Sequence, residues 1–128
     1  MTSHELSSAV RRAIDYIEAQ YTHIGSIPEI AEAVEENYHS LRVRFRRETG
    51  QTLEEYVILT RLRVAASLLV ETNLLVKEIC WRVGYNDEAH FSKRFREHYG
   101  TTPLGYRYRK RLSRLITDTL AKLKRYIR

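Results

Sequence analysis

A pattern of helix-forming residues occurs twice in this chain, and this repeat constrains the fold more than any other feature. The first copy runs Ile30-Ala31-Glu32-Ala33-Val34, then Leu41-x-x-x-Phe45-Arg46-x-x-x-Gly50-x-Thr52. The second runs Ile79-Cys80-Trp81-Arg82-Val83, then Phe91-x-x-x-Phe95-Arg96-x-x-x-Gly100-x-Thr102. The copies are 49 residues apart before an internal turn and 50 after it, so the second turn holds one extra residue. Each copy predicts two short helices joined by a tight turn, the layout of a helix-turn-helix unit.

Helical periodicity continues outside the repeat. Glycine and proline are scarce, at five and two residues, and apolar side chains recur at intervals near 3.6. Asn37 and Asp87 are placed to cap the second helix of each unit, and Thr102-Pro103 to begin a further helical turn. Three capping-box patterns predict other helix starts, the last one of a long helix: Thr2-x-x-Glu5, Ser26-x-x-Glu29 and Thr52-x-x-Glu55. The predicted fold class is all-α with seven or eight helices, in which a long connecting helix joins two helix-turn-helix subdomains and a basic amphipathic C-terminal helix follows.

The ends of these elements divide the chain into four segments. The expected segments are a first helix-turn-helix subdomain at 1–51, the connecting helix at 52–72, a second subdomain at 73–110 and a basic amphipathic C-terminal extension at 111–128. A helix from Leu53 to Glu71 would be roughly 28 Å long, while successive major-groove faces on one side of DNA lie about 34 Å apart. With the units adding to this length, one chain would read two groove segments of an asymmetric site. We therefore expect a monomer or weak dimer.

The net charge of +6 is unevenly distributed along the chain. Residues 1–36 carry two basic and seven acidic side chains, whereas residues 107–128 carry nine basic side chains against Asp118 alone. Such asymmetry indicates a polyanionic partner. Because the chain up to residue 106 is slightly acidic as a whole, any nucleic-acid surface on it must be a local patch.

Composition and motifs exclude several other classes. The single cysteine, Cys80, forms no internal disulfide, which indicates a reducing compartment. No apolar run approaches the ~18–20 residues of a membrane span, and a signal-peptide pattern is absent from the first residues. We therefore expect a cytoplasmic protein without integral membrane association. The histidine and cysteine spacing predicts no metal site, and without a phosphate loop or a nucleophile–base pattern we expect no enzyme and no cofactor.

The second helix of each copy carries the candidate DNA-reading residues, because in a helix-turn-helix unit this helix lies in the major groove. Leu41 and Phe45 fix the inward face of the first copy, and Phe91 and Phe95 that of the second. The outward residues of the first copy are His39, Arg42 and Arg46, flanked by Arg44 and Arg47. Those of the second are Glu88 or Ala89, His90 and Lys93, with Arg94 and Arg96 along the edge. A solvated basic helix face is the alternative for either copy alone, but two copies in register favour DNA.

At these residues the chain resembles the AraC/XylS family of bacterial transcription regulators. The most specific part is Gly84-Tyr85-x-Asp87-x-x-x-Phe91-Ser92-Lys93-Arg94-Phe95-Arg96-x-x-x-Gly100-x-Thr102-Pro103-x-x-Tyr106-Arg107. The segment from Ile30 to Gly50 is similar to the family's first unit, and the resemblance covers about residues 8–108. It implies seven helices, two helix-turn-helix units joined by a long helix, and promoter binding that recruits or positions RNA polymerase. The base-reading positions that it implies are His39, Arg42 and Val43, and Glu88, His90 and Lys93.

Some of these positions depart from the family's pattern. Asn37 stands where the family usually has a serine that contacts phosphate, and it still caps its helix. Val43 cannot hydrogen-bond a base but suits a thymine methyl group, and Glu88 suits the amino group of cytosine. Lys93 replaces a common arginine and loses its bidentate geometry. Arg42 and Lys93 are our strongest candidates for base readout, and the expected phosphate contacts are Asn37, Arg44, Arg46, Arg47, Arg94 and Arg96.

The C-terminal segment lies outside the resemblance, and several interpretations are open. A basic face opposes an apolar helical stripe in this segment. The members of the apolar stripe are Leu112, Leu115, Ile116, Leu120, Leu123 and Ile127. It fits an extra helix packed on the body, a dimer contact, a helix that binds polymerase or another partner, or an amphipathic segment on anionic lipid. Most family members carry a second domain, so the chain is a stand-alone regulator or a fragment, and Met1 favours the first.

The predicted function is therefore a sequence-specific regulator of transcription, with activation favoured, that binds double-stranded DNA. RNA polymerase is a candidate partner. The alternative is a helical protein-interaction or membrane-surface module that uses the basic C-terminal helix and keeps the repeats as a scaffold.

Overall fold

The computed structural model describes residues 5–127, and these residues form seven helices without a strand. The helices are α1 (Ser8–Gln20), α2 (Pro28–Ala33), α3 (Tyr38–Thr49), α4 (Leu53–Glu71), α5 (Val76–Arg82), α6 (Glu88–Tyr99) and α7 (Pro103–Tyr126). The predicted all-α class, the two helix-turn-helix units and the long helix over Leu53–Glu71 are confirmed.

The chain divides into two compact units, and the boundary falls within α4 between Arg63 and Val64. In the first unit, α1, α2, α3 and the start of α4 surround one apolar core. The inward side of α1 supplies Val10, Ala13 and Ile17, all completely buried. The other large side chains that this core buries almost completely are Ile30, Leu41, Phe45 and Leu53. Packing holds the six-residue α2 in place, because so short a helix is not stable in water by itself.

The second unit has its own core, built from the same order of elements. The second half of α4 supplies Ala65 and Leu69, α5 supplies Ile79, and α6 supplies Phe91 and Phe95, all of which are completely buried. Because α4 ends the first unit and begins the second, the repeat shares one helix between its two copies.

Most of the predicted helix caps form. Asn37, Asp87 and Thr102 each accept a hydrogen bond from a backbone N–H in the first turn of α3, α6 and α7. At the start of α4, the N–H of Thr52 donates to the Glu55 carboxylate at 2.8 Å, and the N–H of Glu55 donates to the Thr52 hydroxyl at 3.0 Å. This reciprocal pair is the predicted capping box.

The predicted start of the first helix is wrong. Thr2 lies outside the described residues, and Glu5 is not helical. Ser7 is the cap instead, because its hydroxyl accepts from the N–H of Val10 at 3.3 Å. Its own N–H donates to the carboxylate of Glu48 at 2.8 Å, so a contact with α3 helps to fix where α1 begins.

The second helix also begins later than predicted, at Pro28 rather than directly after Ser26. The Glu29 carboxylate accepts from the N–H groups of Gly25 and Ser26 at 3.0 and 3.3 Å, but the residue before the helix is Ile27, which offers no side-chain cap. Glu29 is therefore one position too close to the helix start for a reciprocal box.

The last helix, α7, runs without interruption, so the predicted further turn and the C-terminal extension form one element. Every described residue from Leu112 to Ile127 is exposed. The side chains of the α7 stripe (Leu112, Leu115, Ile116, Leu120, Leu123 and Ile127) are 50–80% exposed. The interpretation of an extra helix packed on the body is therefore wrong for the described chain.

Candidate nucleic-acid interface

The turn before α3 and the turn before α6 have the same hydrogen bonds. After α2, the N–H of Glu36 donates to the carbonyl of Ala31 at 2.9 Å. After α5, the N–H of Tyr85 donates to the carbonyl of Cys80 at 3.0 Å. Both donors and both acceptors are 49 residues apart, so the two copies leave their first helix in the same way.

A left-handed residue reverses the chain in each turn. The first turn uses Glu35, with a φ of 57°, and the second uses Gly84, with a φ of 104°. Glycine adopts this conformation without steric cost, whereas glutamate is strained there. The extra residue that the changed offset predicts is Asn86, which lies between the shared turn and the cap of α6.

The helix α3 presents the first predicted reading surface to solvent. Leu41 and Phe45 are buried, which turns the opposite side of the helix outward. The predicted residues exposed on α3 are His39, Arg42, Val43, Arg46 and Arg47, while Arg44 is half-buried. Asn37 uses its Oδ1 to cap α3, accepting from the N–H of Ser40 at 3.0 Å, so a phosphate contact would have to come from its amide nitrogen.

The helix α6 presents the second surface in the same way. Its exposed predicted residues are Glu88, His90, Lys93 and Arg96. The His90 ring packs edge-on against Tyr85, with 5.6 Å between centroids, which restricts its orientation. Arg94 is half-buried and lies 4.0 Å from the carboxylate of Glu97. A partly exposed pair at this distance contributes little stability, so Arg94 can turn toward another anion at small cost.

A matching aromatic pair supports each of these helices from behind. Phe45 of α3 meets Tyr56 edge-to-face at 5.7 Å, and Phe95 of α6 meets Tyr106 edge-to-face at 5.4 Å. Such pairs contribute about 0.5–1.5 kcal/mol beyond area burial. Both α3 and α6 are thereby held against the helix that follows them, α4 and α7 respectively.

A cavity of about 580 Å³, which the helical periodicity did not indicate, opens beside α3. Its lining residues are Ile27, Tyr38, Arg42, Val43, Arg46, Arg47, Thr52, Leu53 and Glu54. Three arginines and one glutamate line the cavity, so this surface is a local positive patch. Any nucleic-acid surface on the first 106 residues must be such a patch, because these residues are slightly acidic as a whole. Periodicity placed the arginines outward but could not reveal a concavity formed by α3 with the start of α4.

Several arginines donate hydrogen bonds to carbonyls at helix ends instead of facing outward. The net charge of the sequence does not distinguish these arginines from exposed ones. Arg61 donates to the carbonyls of Tyr21 and Ile24 at 2.8 and 3.0 Å, beyond the end of α1. Arg111 donates to the carbonyl of Thr72 at 2.6 Å, just past the end of α4. Because Arg61 and Arg111 are 50 residues apart, the repeat itself contained a signal for this role.

Arg107 is the most buried of these arginines, at 8% exposure. Its guanidinium donates to the carbonyls of Leu69, Thr72 and Leu74 at 2.8, 3.3 and 2.6 Å. Burial lowers the pKa of this guanidinium, and the neighbouring charge of Arg111 lowers it further. The nine basic side chains counted from residue 107 onward therefore overstate the charge that a nucleic acid could meet.

Cys80 belongs to the core of the second unit. Its thiol is completely buried and lies 3.7 Å from the carbonyl of Tyr85. Burial raises the pKa of the thiol, and the negative charge of Glu88 raises it further. A thiol that is both inaccessible and protonated at neutral pH is a packing group rather than a nucleophile.

Metal and membrane features can be stated only for the described residues. Between residues 5 and 127, no group of three or more histidine, cysteine, aspartate or glutamate side chains is placed to hold a metal ion. Over the same range, no helix is both long enough and apolar enough to cross a membrane.

Two equivalent helix-turn-helix units, each with an exposed, largely basic second helix, define the class of tandem helix-turn-helix proteins that bind nucleic acid. A family model described as a helix-turn-helix domain matches residues 30–111. The chain belongs to the AraC/XylS family of DNA-binding transcription regulators.

Known relatives and a solved structure agree with this assignment. The lactose operon transcription activator of Staphylococcus xylosus is 29% identical over 99 residues, which cover 77% of this chain and 36% of that protein. The HTH-type transcriptional activator RhaR of an Enterobacter species is 39% identical over 72 residues, covering 56% of this chain and 26% of that protein. The C-terminal domain of AraT, a response regulator from Geobacillus stearothermophilus, is 31% identical with a TM-score of 0.77, covering 81% of this chain and 87% of that one. The chain thus spans about a quarter to a third of these curated relatives' length.

Proposed function

We propose that this chain activates transcription by binding double-stranded DNA sequence-specifically, with α3 and α6 in two adjacent major-groove segments. The observation that carries the proposal is the equivalence of the two units in turn, cap and aromatic support. Two surfaces with the same geometry and different outward side chains suit the reading of two different base sequences. One chain is enough for both, so the site would be asymmetric.

The side chains divide into two roles. In the first unit, Arg42 would donate bidentately to guanine, and Val43 would contact a thymine methyl group. In the second unit, Lys93 would donate to guanine, and Glu88 would accept from the amino group of cytosine. The remaining predicted base reader on each helix is a histidine, His39 or His90. Phosphate contacts, which set register and orientation, would come from Asn37, Arg44, Arg46, Arg47, Arg94 and Arg96.

The experiment that tests the proposal is selection of binding sites from random duplex DNA, followed by affinity against salt on the selected site. We expect one asymmetric site with two elements about one helical turn apart. A single short element would mean that one unit does not read bases. Uniform weak binding to all sequences would contradict the proposal, because only non-specific attraction to phosphates would remain.

Arg42→Ala separates base readout from phosphate contact. It should cost about 1–3 kcal/mol on the selected site and relax specificity at one position. Arg46→Ala should instead weaken binding to all sequences alike and reduce the salt slope by about one. Arg11→Ala, at an exposed position of α1, is the matched control for the loss of a positive charge. If Arg42→Ala weakens binding equally on every sequence, Arg42 contacts phosphate.

The setting of this activity is part of the proposal. The chain would act in the cytoplasm, where the absence of disulfides is expected, and RNA polymerase would be its partner at the promoter. Transcription from the selected site with purified bacterial polymerase tests both roles. Activation should require the site, whereas a site-dependent decrease would make the protein a repressor.

One observation supports the alternative of an interaction or membrane-surface module. The α7 stripe is exposed over its whole described length, as an uncovered docking helix would be. If DNA binding with intact sequence preference survives deletion of residues 112–128, the two units are readers and the last helix serves another contact. If preference disappears with the helix, the repeats are a scaffold.

A further inference from the structure

The exposed α7 stripe faces away from the unit that carries it. On the same helix, Arg107 and Arg111 donate to carbonyls at the end of α4, and Arg114 forms an ion pair with Glu71 at 2.5 Å. At 100° per residue, these three arginines lie on the other side of the helix from the stripe. The stripe therefore cannot turn toward its own unit without breaking these contacts.

The 50-residue offset shows what the equivalent face does elsewhere in the chain. Leu115 and Ile116 correspond to Ala65 and Ala66 of α4, which are both buried. In α7 the same positions carry larger apolar side chains and are 63% and 51% exposed. Alanines allow two helices to pack at a short interaxial distance, whereas large aliphatic side chains in an exposed stripe fit a partner helix at a longer interaxial distance.

The charges along α7 are placed where a second helix would not meet most of them. If Ile116, Leu120, Leu123 and Ile127 occupy the a and d positions of a heptad, the flanking e and g positions are Leu112, Thr117, Thr119, Lys124 and Tyr126. Only one of these five is charged. Between residues 112 and 127, the other basic residues lie farther from the seam, at Arg114, Lys122 and Arg125.

We propose that the α7 stripe pairs with the same stripe of a second copy of this chain, forming a weak homodimer. The apolar side chains at the seam and its flanks are all at least half exposed: Leu112, Ile116, Leu120, Leu123, Tyr126 and Ile127. Together they offer on the order of 600 Å² per copy, or roughly 1,200 Å² in a pair, the lower limit of a specific interface. An interface at this lower size limit, between two positively charged copies, is typical of weak association, so we expect the dimer to dissociate in the micromolar range. The inference goes beyond the proposed function, because one chain already holds both reading surfaces.

Sedimentation equilibrium of the full chain across the micromolar range tests this pairing. The wild type should pass from 15.2 kDa to twice that mass, and Leu120→Glu should stay at 15.2 kDa. Ala121→Glu is the matched control, because it introduces the same charge at the adjacent position, which at 100° per residue lies off the stripe, and it should still dimerise. Raising the salt concentration should preserve or strengthen the dimer, since both copies are basic.

Three outcomes would overturn the inference: a wild type that is monomeric throughout, a dimer that Leu120→Glu leaves intact, or association that dissolves as salt rises. A monomeric wild type that sediments with phosphatidylglycerol vesicles would assign the stripe to an anionic lipid surface instead. The fold of each variant is checked by circular dichroism and Trp81 fluorescence. Leu120→Glu should still bind a single selected DNA site with nearly wild-type affinity, so loss of pairing and loss of DNA reading remain distinguishable.

Discussion

Replacing Arg107 by alanine should destabilise the second unit by about 3–4 kcal/mol. The side chain is 8% exposed and donates to three carbonyls, of Leu69, Thr72 and Leu74, at 2.6–3.3 Å. Losing a charged donor to buried acceptors costs about 1.5–3 kcal/mol per bond, but the three bonds share one guanidinium and water can reach part of the site. The expected total is therefore below the simple sum.

The assay is urea unfolding followed by two signals. Trp81 is the only tryptophan in the chain and lies in the second unit, so its fluorescence reports that unit, while far-ultraviolet circular dichroism reports the helices of both. Arg107→Ala should move the fluorescence transition to lower urea. Arg107→Lys keeps the charge but not the fork of donors and should lose about 1–2 kcal/mol.

Arg109→Ala is the control, because Arg109 is exposed on the same helix and alanine keeps the helix propensity. It should change stability by less than about 0.5 kcal/mol. The reasoning is refuted if Arg107→Ala costs less than about 1 kcal/mol, or if both alanine variants have the same effect. The second result would mean that the loss of a positively charged side chain from α7, and not the loss of the hydrogen bonds, decides the change in stability.

Three further predictions follow from other parts of the chain. Gly84→Ala should cost about 1–2 kcal/mol in urea unfolding, because the left-handed conformation at φ 104° is strained for any residue with a Cβ; an unchanged stability would contradict this. The pKa of Glu29 is lowered from its ordinary value of 4.5, mainly because the N–H of Gly25 donates to the carboxylate. The contribution of Glu29 to the free energy of unfolding is therefore fully present above pH 4.5 and is lost as the pH falls through the lower folded-state pKa. In Glu29→Gln, the free energy of unfolding should therefore depend less on pH on the acid side than in the wild type. An unchanged pH dependence would contradict this prediction. Deleting residues 112–128 should weaken binding to all DNA and flatten its salt dependence, whereas an unchanged slope would place this segment away from DNA.

Features that depend on nearby residues were predictable from the sequence. The box between Thr52 and Glu55 involves residues three apart, and the inward side of α3 follows from Leu41 and Phe45 at a spacing of four. Local chemistry decides both, so the long helix and the outward position of Arg42 were correctly predicted.

Features that depend on distant residues were not predictable in this way. Ser7 caps α1 while its N–H reaches Glu48, 41 residues away, and Arg107 meets carbonyls 33 to 38 residues away. The cavity beside α3 likewise requires the placement of Ile27 from another part of the chain. Periodicity indicated the α7 stripe but not its exposure, since a covered and an uncovered stripe have the same sequence pattern.

The turn that contains Asn86 shows where this motif tolerates a change of length. The hydrogen bonds on its N-terminal side match those of the shorter turn, and a side-chain cap begins the following helix in both copies. The added residue is therefore absorbed between the left-handed residue and the cap, without disturbing either helix. For protein engineering, the equivalent point between Glu36 and Asn37 is an insertion site, at which α3 could be re-aimed while its own side chains stay unchanged.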